Sequence, residues 1–349
     1  MSSLEKNQRV SMRDIARAVG VSVSAVSLAI RNSPRVSAGV REKIQATIRE
    51  LGYQPDPMLS ALAHYRRSKG SQPVGAELAW INGWPAPEKL RSYQEFELYW
   101  RGAWEEAKRC GFRLEEFRPT ECGTPARLEA ILRARNICGI LIPPHGGAVN
   151  VNWGSFAWAD FCIIRFGHSV AHPRAHLVTS DQLTDGVMAF ENIWAKGYRR
   201  IAYVTTRDTA LKGTRFSAGF LQGQLRVRAR AQLPPLLLGD EKNPREDQEQ
   251  LRAWLHKARP DAILTDLPYL RSLLTKCGCQ VPGDLGLAVT SVLDGNASAG
   301  IDQNSWEIGK AAIQMLISLI NHNERGIPDV CRELLIEGRW TEGDSLPPK

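Results

Sequence analysis

The sequence predicts an α/β protein with an all-α addition: an N-terminal helix-turn-helix head, then a bilobal α/β body with parallel sheets. Three observations carry this. The first 70 of 349 residues hold 12 Lys and Arg against 5 Asp and Glu, while the other 279 hold 33 against 32. Nearly all of the net charge of +8 therefore sits in the first fifth of the chain. That asymmetry marks a small basic module for a polyanion, joined to a near-neutral body. The second observation is a set of short, helix-periodic apolar stretches between Ser11 and Gly52, broken by glycine and proline turns. The third is an alternation of strand and helix patterns from Val74 onward, which stops and then restarts after Ser180. Such alternation implies parallel sheets covered by helices, and two runs imply two lobes.

Composition excludes several classes. Hydrophobic residues are 43% and charged residues 23%, which is globular rather than disordered. No window reaches the roughly 18 apolar residues of a membrane span. Met1 to Val10 is polar and does not read as a secretory signal. Seven cysteines without such a signal fit free thiols in a reducing compartment, so a cytoplasmic location is expected.

In the head, Ser11-Met12-Arg13-Asp14 reads as a capping box. Ile15, Ala16 and Val19 form the apolar face of a first helix, which Gly20 ends. After a turn, Ser22 can cap a second helix whose inward face is Val23, Val26, Ala29 and Ile30. Ser24, Ala25, Ser27, Leu28 and Arg31 look outward, and Asn32-Ser33-Pro34 breaks the helix. A third helix starts near Ser37, buries Val40, Ile44, Ile48 and Leu51, and stops at Gly52. Two short helices on a glycine turn, buttressed by a third, form a helix-turn-helix unit.

Three blocks make this unit specific. They are Met12-Arg-Asp-Ile-Ala-Arg-Ala-Val-Gly-Val-Ser-Val-Ser-Ala-Val-Ser27, Ser33-Pro-Arg-Val-Ser37 and Glu50-Leu-Gly-Tyr-Gln-Pro55. In register, they resemble the opening of the lactose-repressor/galactose-repressor family of bacterial transcription regulators. The resemblance implies that the second helix enters the DNA major groove, with Val23, Ser24 and Leu28 toward base edges. Ser22, Ser27, Arg31, Arg35 and Tyr53 then become candidates for phosphate or rim contacts. Ser22 has a second reading as a plain helix cap, and Tyr53 as a packing residue. Leu28 departs from the family, where many members carry an arginine that reads a base. Leucine offers apolar contact only, for example to a thymine methyl, so the half-site should differ from the common one. Arg31-Asn32 also replaces a frequent Asn-Gly pair.

Residues 55–71 read as a hinge helix and linker. Asp56 suits a cap and Pro57 the first helical position, and a short Ala/Leu-rich segment follows. Alone such a helix is marginal. The resemblance implies that it forms when two subunits meet on DNA, with Leu62 wedged into a minor-groove step. The other reading has Leu59 and Leu62 packing the linker on the body.

In the body, strands are predicted at 74–81, 112–117, 138–142 and 161–166, with helices at 93–110 and 128–134. The first of these helices shows Phe96, Trp100, Ala103, Trp104 and Ala107 on one face, a candidate dimer surface. After Ser180 come helices at 186–196 and 215–225 and strands at 200–205, 236–238, 262–264 and 287–290. The resemblance implies a body like a periplasmic sugar-binding protein, with chain crossovers near Ser180, Gln303 and Cys331. The domain reading is a head at 1–54, the hinge at 55–71 and a body at 72–342. Lobe 1 takes about 72–179 and 303–330, and lobe 2 about 180–302 and 331–342.

Ligands in such folds sit at the carboxyl ends of strands, between the lobes. Arg215, in Arg215-Phe-Ser-Ala-Gly-Phe220, matches a segment whose arginine commonly holds a ligand. Asp294 and Asp266 are candidate acceptors for sugar hydroxyls. Trp84 and Phe216 are candidate aromatic platforms. Asn82, Arg165 and Gln303 complete the set. Structural roles stay open: a salt bridge for Arg215, a helix cap for Asp266, core for Trp84. The segments around Thr265-Asp266 and between Asp294 and Gly300 are shorter than in the family.

No phosphate loop, nucleophile elbow or HExxH motif is present, and Cys277-Gly-Cys279 lacks a second pair at zinc-finger spacing. No catalytic residue, metal or cofactor is expected. The reading is a transcriptional regulator, a repressor, that binds a pseudo-palindromic DNA operator as a homodimer and responds to a small-molecule effector, a sugar or related metabolite. Two rivals are a DNA binder whose ligand-free body only dimerises and a fused sugar-metabolising enzyme.

Overall fold

Two six-stranded sheets build the body. The computed structural model describes residues 10–30, 36–51, 53, 76–145, 152–154, 156–211, 214–227, 232–239 and 244–349. The first sheet uses β1 (Ala76–Ile81), β2 (Phe112–Phe117), β3 (Gly139–Ile142), β4 (Cys162–Phe166), β5 (His176–Ser180) and β11 (Glu333–Ile336). Its spatial order is β11-β5-β4-β3-β1-β2, and every pairing is parallel. The second uses β6 (Ile201–Thr206), β7 (Leu236–Leu238), β8 (Ala262–Thr265), β9 (Gly286–Val289), β10 (Ala299–Asp302) and β12 (Arg339–Thr341). Its order is β12-β10-β9-β8-β6-β7, parallel except for the antiparallel β10–β12 pair. Interior strands such as β3, β6 and β8 are buried along their whole length, as strands covered on both faces must be.

The head is a unit apart from the body. Its helices are α1 (Met12–Val19), α2 (Val23–Ile30) and α3 (Ala38–Glu50). Asp14 accepts hydrogen bonds from the Ser11 N–H at 2.9 Å and the Ser11 hydroxyl at 2.7 Å, which hold its carboxyl below the usual range. Gly20 takes the left-handed conformation at φ 76° and its N–H bonds Ala16 O, so the helix ends where a Cβ would be strained. Ile15, Ala16, Val26, Ala29, Val36 and Ile44 form the head core. Two apolar residues depart from their predicted burial. Val23 and Leu51 are each 39% exposed, because the core is small and each lies at a helix end.

The chain crosses between lobes three times. The first crossing follows Ser180 and the second lies near Gln303. The third differs from the expected position near Cys331. β11 still pairs with β5 in lobe 1, so the crossing falls between Ile336 and Arg339. An Asp185 carboxylate oxygen accepts the Gly338 N–H at 2.9 Å and pins that crossing. A Cβ on Gly338 would lie 2.7 Å from the same oxygen, so glycine is needed there. The tail beyond residue 342 also belongs to lobe 2: Leu346 is fully buried, and the Tyr198 hydroxyl donates to Pro347 O at 2.8 Å.

Lobe 1 closes around two helices, α5 (Gln94–Arg109) and α13 (Ser305–His322), which follow the short α4 (Glu88–Ser92) and β10 respectively. Their backbones touch through glycine. A Cβ on Gly102 would sit 2.0 Å from Trp306 O, and one on Gly309 2.1 Å from Tyr99 O. The buried face of α5 is Glu95, Tyr99, Gly102, Ala103, Glu106 and Ala107, rotated from the predicted aromatic face. Trp104 is 43% exposed, whereas Trp100 packs on Trp80 and lies under the Arg91 guanidinium. The rotation follows from the glycine contact, which turns Gly102 rather than Trp104 toward α13.

Candidate functional site

Two sites emerge. On the head, α2 turns Ser22, Val23 and Ser24 to solvent, with Ser27 and Leu28 half-buried beside them. The Ser22 hydroxyl accepts the Ala25 N–H at 3.1 Å, so it does cap α2. Leu28 also packs on the head core. Tyr53 is half-buried against that core, and its N–H donates to Ile48 O at 3.1 Å. Arg31, Arg35 and Leu62 lie outside the described residues.

In the body, a cleft of about 600 Å³ opens between the lobes at the carboxyl ends of the strands. That volume suits a small metabolite. Five of the eight predicted pocket residues line it: Trp84, Phe216, Asp266, Asp294 and Gln303. Trp84 is held by its indole N–H, which donates to Pro144 O at 2.8 Å. Its ring begins an aromatic wall that continues through Tyr93, Phe96 and Tyr99, with centroids 5.3 to 5.9 Å apart. Phe216, at the start of α10 (Phe216–Arg226), stands on the other lobe.

The acids do different work. Asp294, from lobe 2, accepts the backbone N–H of Gln94 at 2.7 Å and of Glu95 at 3.2 Å. It therefore caps α5 of lobe 1 from across the cleft. Asp266 accepts from the Tyr203 hydroxyl at 3.0 Å and the Thr205 hydroxyl at 2.9 Å through one oxygen. Burial still pushes its carboxyl up to about 6. Thr265, rather than Asp266, caps the following turn, since its hydroxyl accepts the Leu267 N–H at 3.0 Å. Gln303 ties two crossings together: its amide accepts from the Ser180 hydroxyl at 2.8 Å and donates to Thr290 O at 2.9 Å.

Three predicted pocket residues fall outside the cleft lining. Arg215 turns to Glu333 at 3.1 Å, an exposed pair between the lobes, because its position before α10 points the guanidinium at the edge strand β11. Arg165 donates to the carbonyls of Ala175 at 3.1 Å and Val170 at 2.9 Å, so it holds the loop after β4 together. Asn82 donates to Pro87 O and to Glu116, and its oxygen accepts the Trp84 N–H at 3.1 Å. It positions the Trp84 platform without lining the cleft.

Glu95 is the residue that sequence reasoning missed. It is 8% exposed and lines the cleft beside Ser291, and burial pushes its carboxyl up to about 8. The signal was an acid at helical spacing with Tyr99 and Gly102, on the face that α5 buries.

Residues 11–56 match the model of the bacterial regulatory proteins of the lacI family, and residues 190–346 match a periplasmic binding protein-like domain. A lacI-family DNA-binding domain thus precedes a periplasmic binding protein-like domain in one chain. With these two domains it is a DNA-binding transcriptional regulator. The HTH-type transcriptional regulator MalR of Streptococcus pneumoniae serotype 4 is 23% identical over 344 residues, 95% of this chain and 99% of that one. The MalR of Staphylococcus xylosus is 41% identical over 66 residues, 19% of this chain and 18% of that one. In fold, the chain is similar to the transcriptional regulator CelR in complex with cellobiose, at a TM-score of 0.59 and 18% identity, covering 97% of this chain and 100% of that one. It is also similar to the lac repressor dimer bound to operator and an anti-inducer, at 0.53 and 16%, with the same coverage. These relatives are regulators, not enzymes. Among the described residues no helix is long and apolar enough to cross a membrane.

Proposed function

We propose that this regulator acts in the cytoplasm as a homodimer on a pseudo-palindromic operator, and that a small-molecule effector in the interlobe cleft changes its grip. The observation that carries this is the cleft. It joins aromatic faces to hydrogen-bonding side chains from both lobes, and Asp294 already spans it. A ligand seated there alters how the lobes close, which is coupling through a two-state element. The complex of CelR with cellobiose supports a sugar or related metabolite as effector.

On the head, Val23, Ser24 and Leu28 of α2 are proposed to face base edges, with Ser22, Ser27, Arg31, Arg35 and Tyr53 on the backbone. Hinge residue Leu62 is proposed as the minor-groove wedge. Trp104 remains the apolar residue of α5 offered to a partner copy, since Phe96 is engaged in the cleft wall and Trp100 on Trp80. Operator selection with the full chain, followed by anisotropy titrations with and without sugars, tests the reading. A selected inverted repeat whose affinity moves with one sugar class supports it. No enriched sequence would refute it.

A further inference from the structure

We propose that closure of the two lobes is coupled to a proton: the neutral carboxyl of Glu95 fastens helix α5 of lobe 1 to the turn Ser291–Asp294 of lobe 2, and loss of its proton releases that turn. This goes beyond the effector reading, because it concerns how the lobes close without a ligand.

The geometry is a two-sided clasp. From lobe 2, Asp294 gives one carboxylate oxygen to the Gln94 N–H at 2.7 Å and the other to the Glu95 N–H at 3.2 Å. From lobe 1, the Glu95 carboxyl returns to the same turn through a hydrogen bond with Ser291. The turn itself is tightly built. The Ser291 hydroxyl accepts the Asp294 N–H at 3.2 Å, and Ser291 O accepts the Gly295 N–H at 2.8 Å. A Cβ on Gly295 would lie 2.5 Å from that carbonyl oxygen.

Two carboxyls therefore meet in one contact. Backbone N–H donors favour an anion, so the negative charge belongs on Asp294 and the proton on Glu95. Glu95 is buried, and its Oε1 has no hydrogen-bond partner among the described residues. A charge on that oxygen would be costly, whereas a neutral carboxyl is tolerated there. Burial accordingly pushes the Glu95 carboxyl up to about 8. The groups around it act in the same direction. Asp302, at the end of β10, and Asp185, on α8 (Gln182–Ala195), both repel a charge on Glu95, although Asp302 is paired with Arg339 at 3.0 Å. On its own helix, Tyr99 is a neutral phenol. Asp208, Asp266, His145 and His168 line the same cleft. Lys212 and residues 146–151 lie outside the described residues.

Parting the lobes lifts the turn off Glu95 and returns its carboxyl to water, where its ordinary value is 4.5. Closing therefore takes up a proton between about pH 4.5 and 8. Below that window closure is fully favoured. Through it the closing equilibrium falls about tenfold for each pH unit, and above it the loss levels off.

The test uses the full chain without sugar, from about pH 6 to about pH 9. Hydrogen exchange at the Gln94 and Glu95 amides, corrected for the intrinsic effect of pH, reads the clasp. Small-angle scattering reads the lobes, and circular dichroism checks that the fold is kept. In the wild type, protection of the two amides should fall about a hundredfold between about pH 6 and 8, and the scattering radius should grow. Glu95→Gln keeps a neutral side chain and should stay flat in both readouts. Glu95→Leu is the second neutral variant, and it gives the same reading should the first fail to fold. Protection that does not change in the wild type overturns the proposal. So does a fall that persists in a neutral variant, and so does a fall with no growth in radius. No sugar enters the test, so each of these failures leaves the effector reading standing.

Discussion

Glu95 is a buried acid, and among the described lining residues of its cleft there is no Lys or Arg. Its carboxyl is raised from 4.5 to about 8, chiefly by burial. Asp185 is raised from 3.8 to about 7, again chiefly by burial. The folded chain therefore binds protons more tightly at these sites than the unfolded chain. Their penalty is absent at low pH, and it grows as pH rises from each unfolded value through the folded one. Stability should fall across about pH 4.5 to 8 on account of Glu95. Glu95→Gln stays neutral, so it should gain stability over the wild type at pH 8.5, by on the order of a few kcal/mol, and little at pH 5. Parallel melting temperatures at the two pH values would contradict this. On the head, Leu28→Arg adds a bidentate donor to a face that now offers only apolar contact there. The selected half-site should change by at least one base, and an unchanged operator would refute the assignment of Leu28 to base reading.

Elements are held by contacts of two kinds, caps and glycine seams. Ser22→Ala removes the hydroxyl that caps α2 and should cost about 1 kcal/mol, measured by urea unfolding. Gly309→Ala drives a methyl into Tyr99 O and should part α5 from α13, at a cost of about 1–3 kcal/mol. Much of this level was legible from the sequence. The capping box at Ser11, the glycine stop at Gly20 and the apolar strands β1, β3 and β6 all carry local signals. What was missed is non-local. Helix α13 buries Ile308, Gly309, Ala312, Ile313, Leu316 and Leu319 around much of its circumference, so no single apolar stripe marks it. Edge strand β11 is largely exposed, and only its pairing with β5 shows that lobe 1 extends to Ile336. In the cleft, the family-like segment Arg215–Phe220 and the donor fork of arginine favoured Arg215, whereas the fold turns its side chain toward Glu333. The spacing of Glu95 with Tyr99 and Gly102 puts it on the face that α5 buries, but only the tertiary fold sets that end of the face in the cleft.

Across the whole molecule, the proposed function assigns gripping to a basic head and tuning to a near-neutral body. The body's two lobes meet through Asp294 on α5 and Gln303 between two crossings. Asp294→Ala should loosen this closure, costing about 1 kcal/mol through the lost cap. Small-angle scattering should then show a larger radius for the variant, and an unchanged radius would argue that the clasp is incidental. The head's charge predicts that phosphate contacts dominate affinity, and the proposed effector reading predicts that a sugar changes it. The direct test is an anisotropy titration of the selected operator with the full chain, between about 50 and 200 mM salt, with and without sugar. The account predicts a steep loss of affinity with salt and a shifted Kd when the sugar is present. Affinity that ignores both salt and sugar would contradict it.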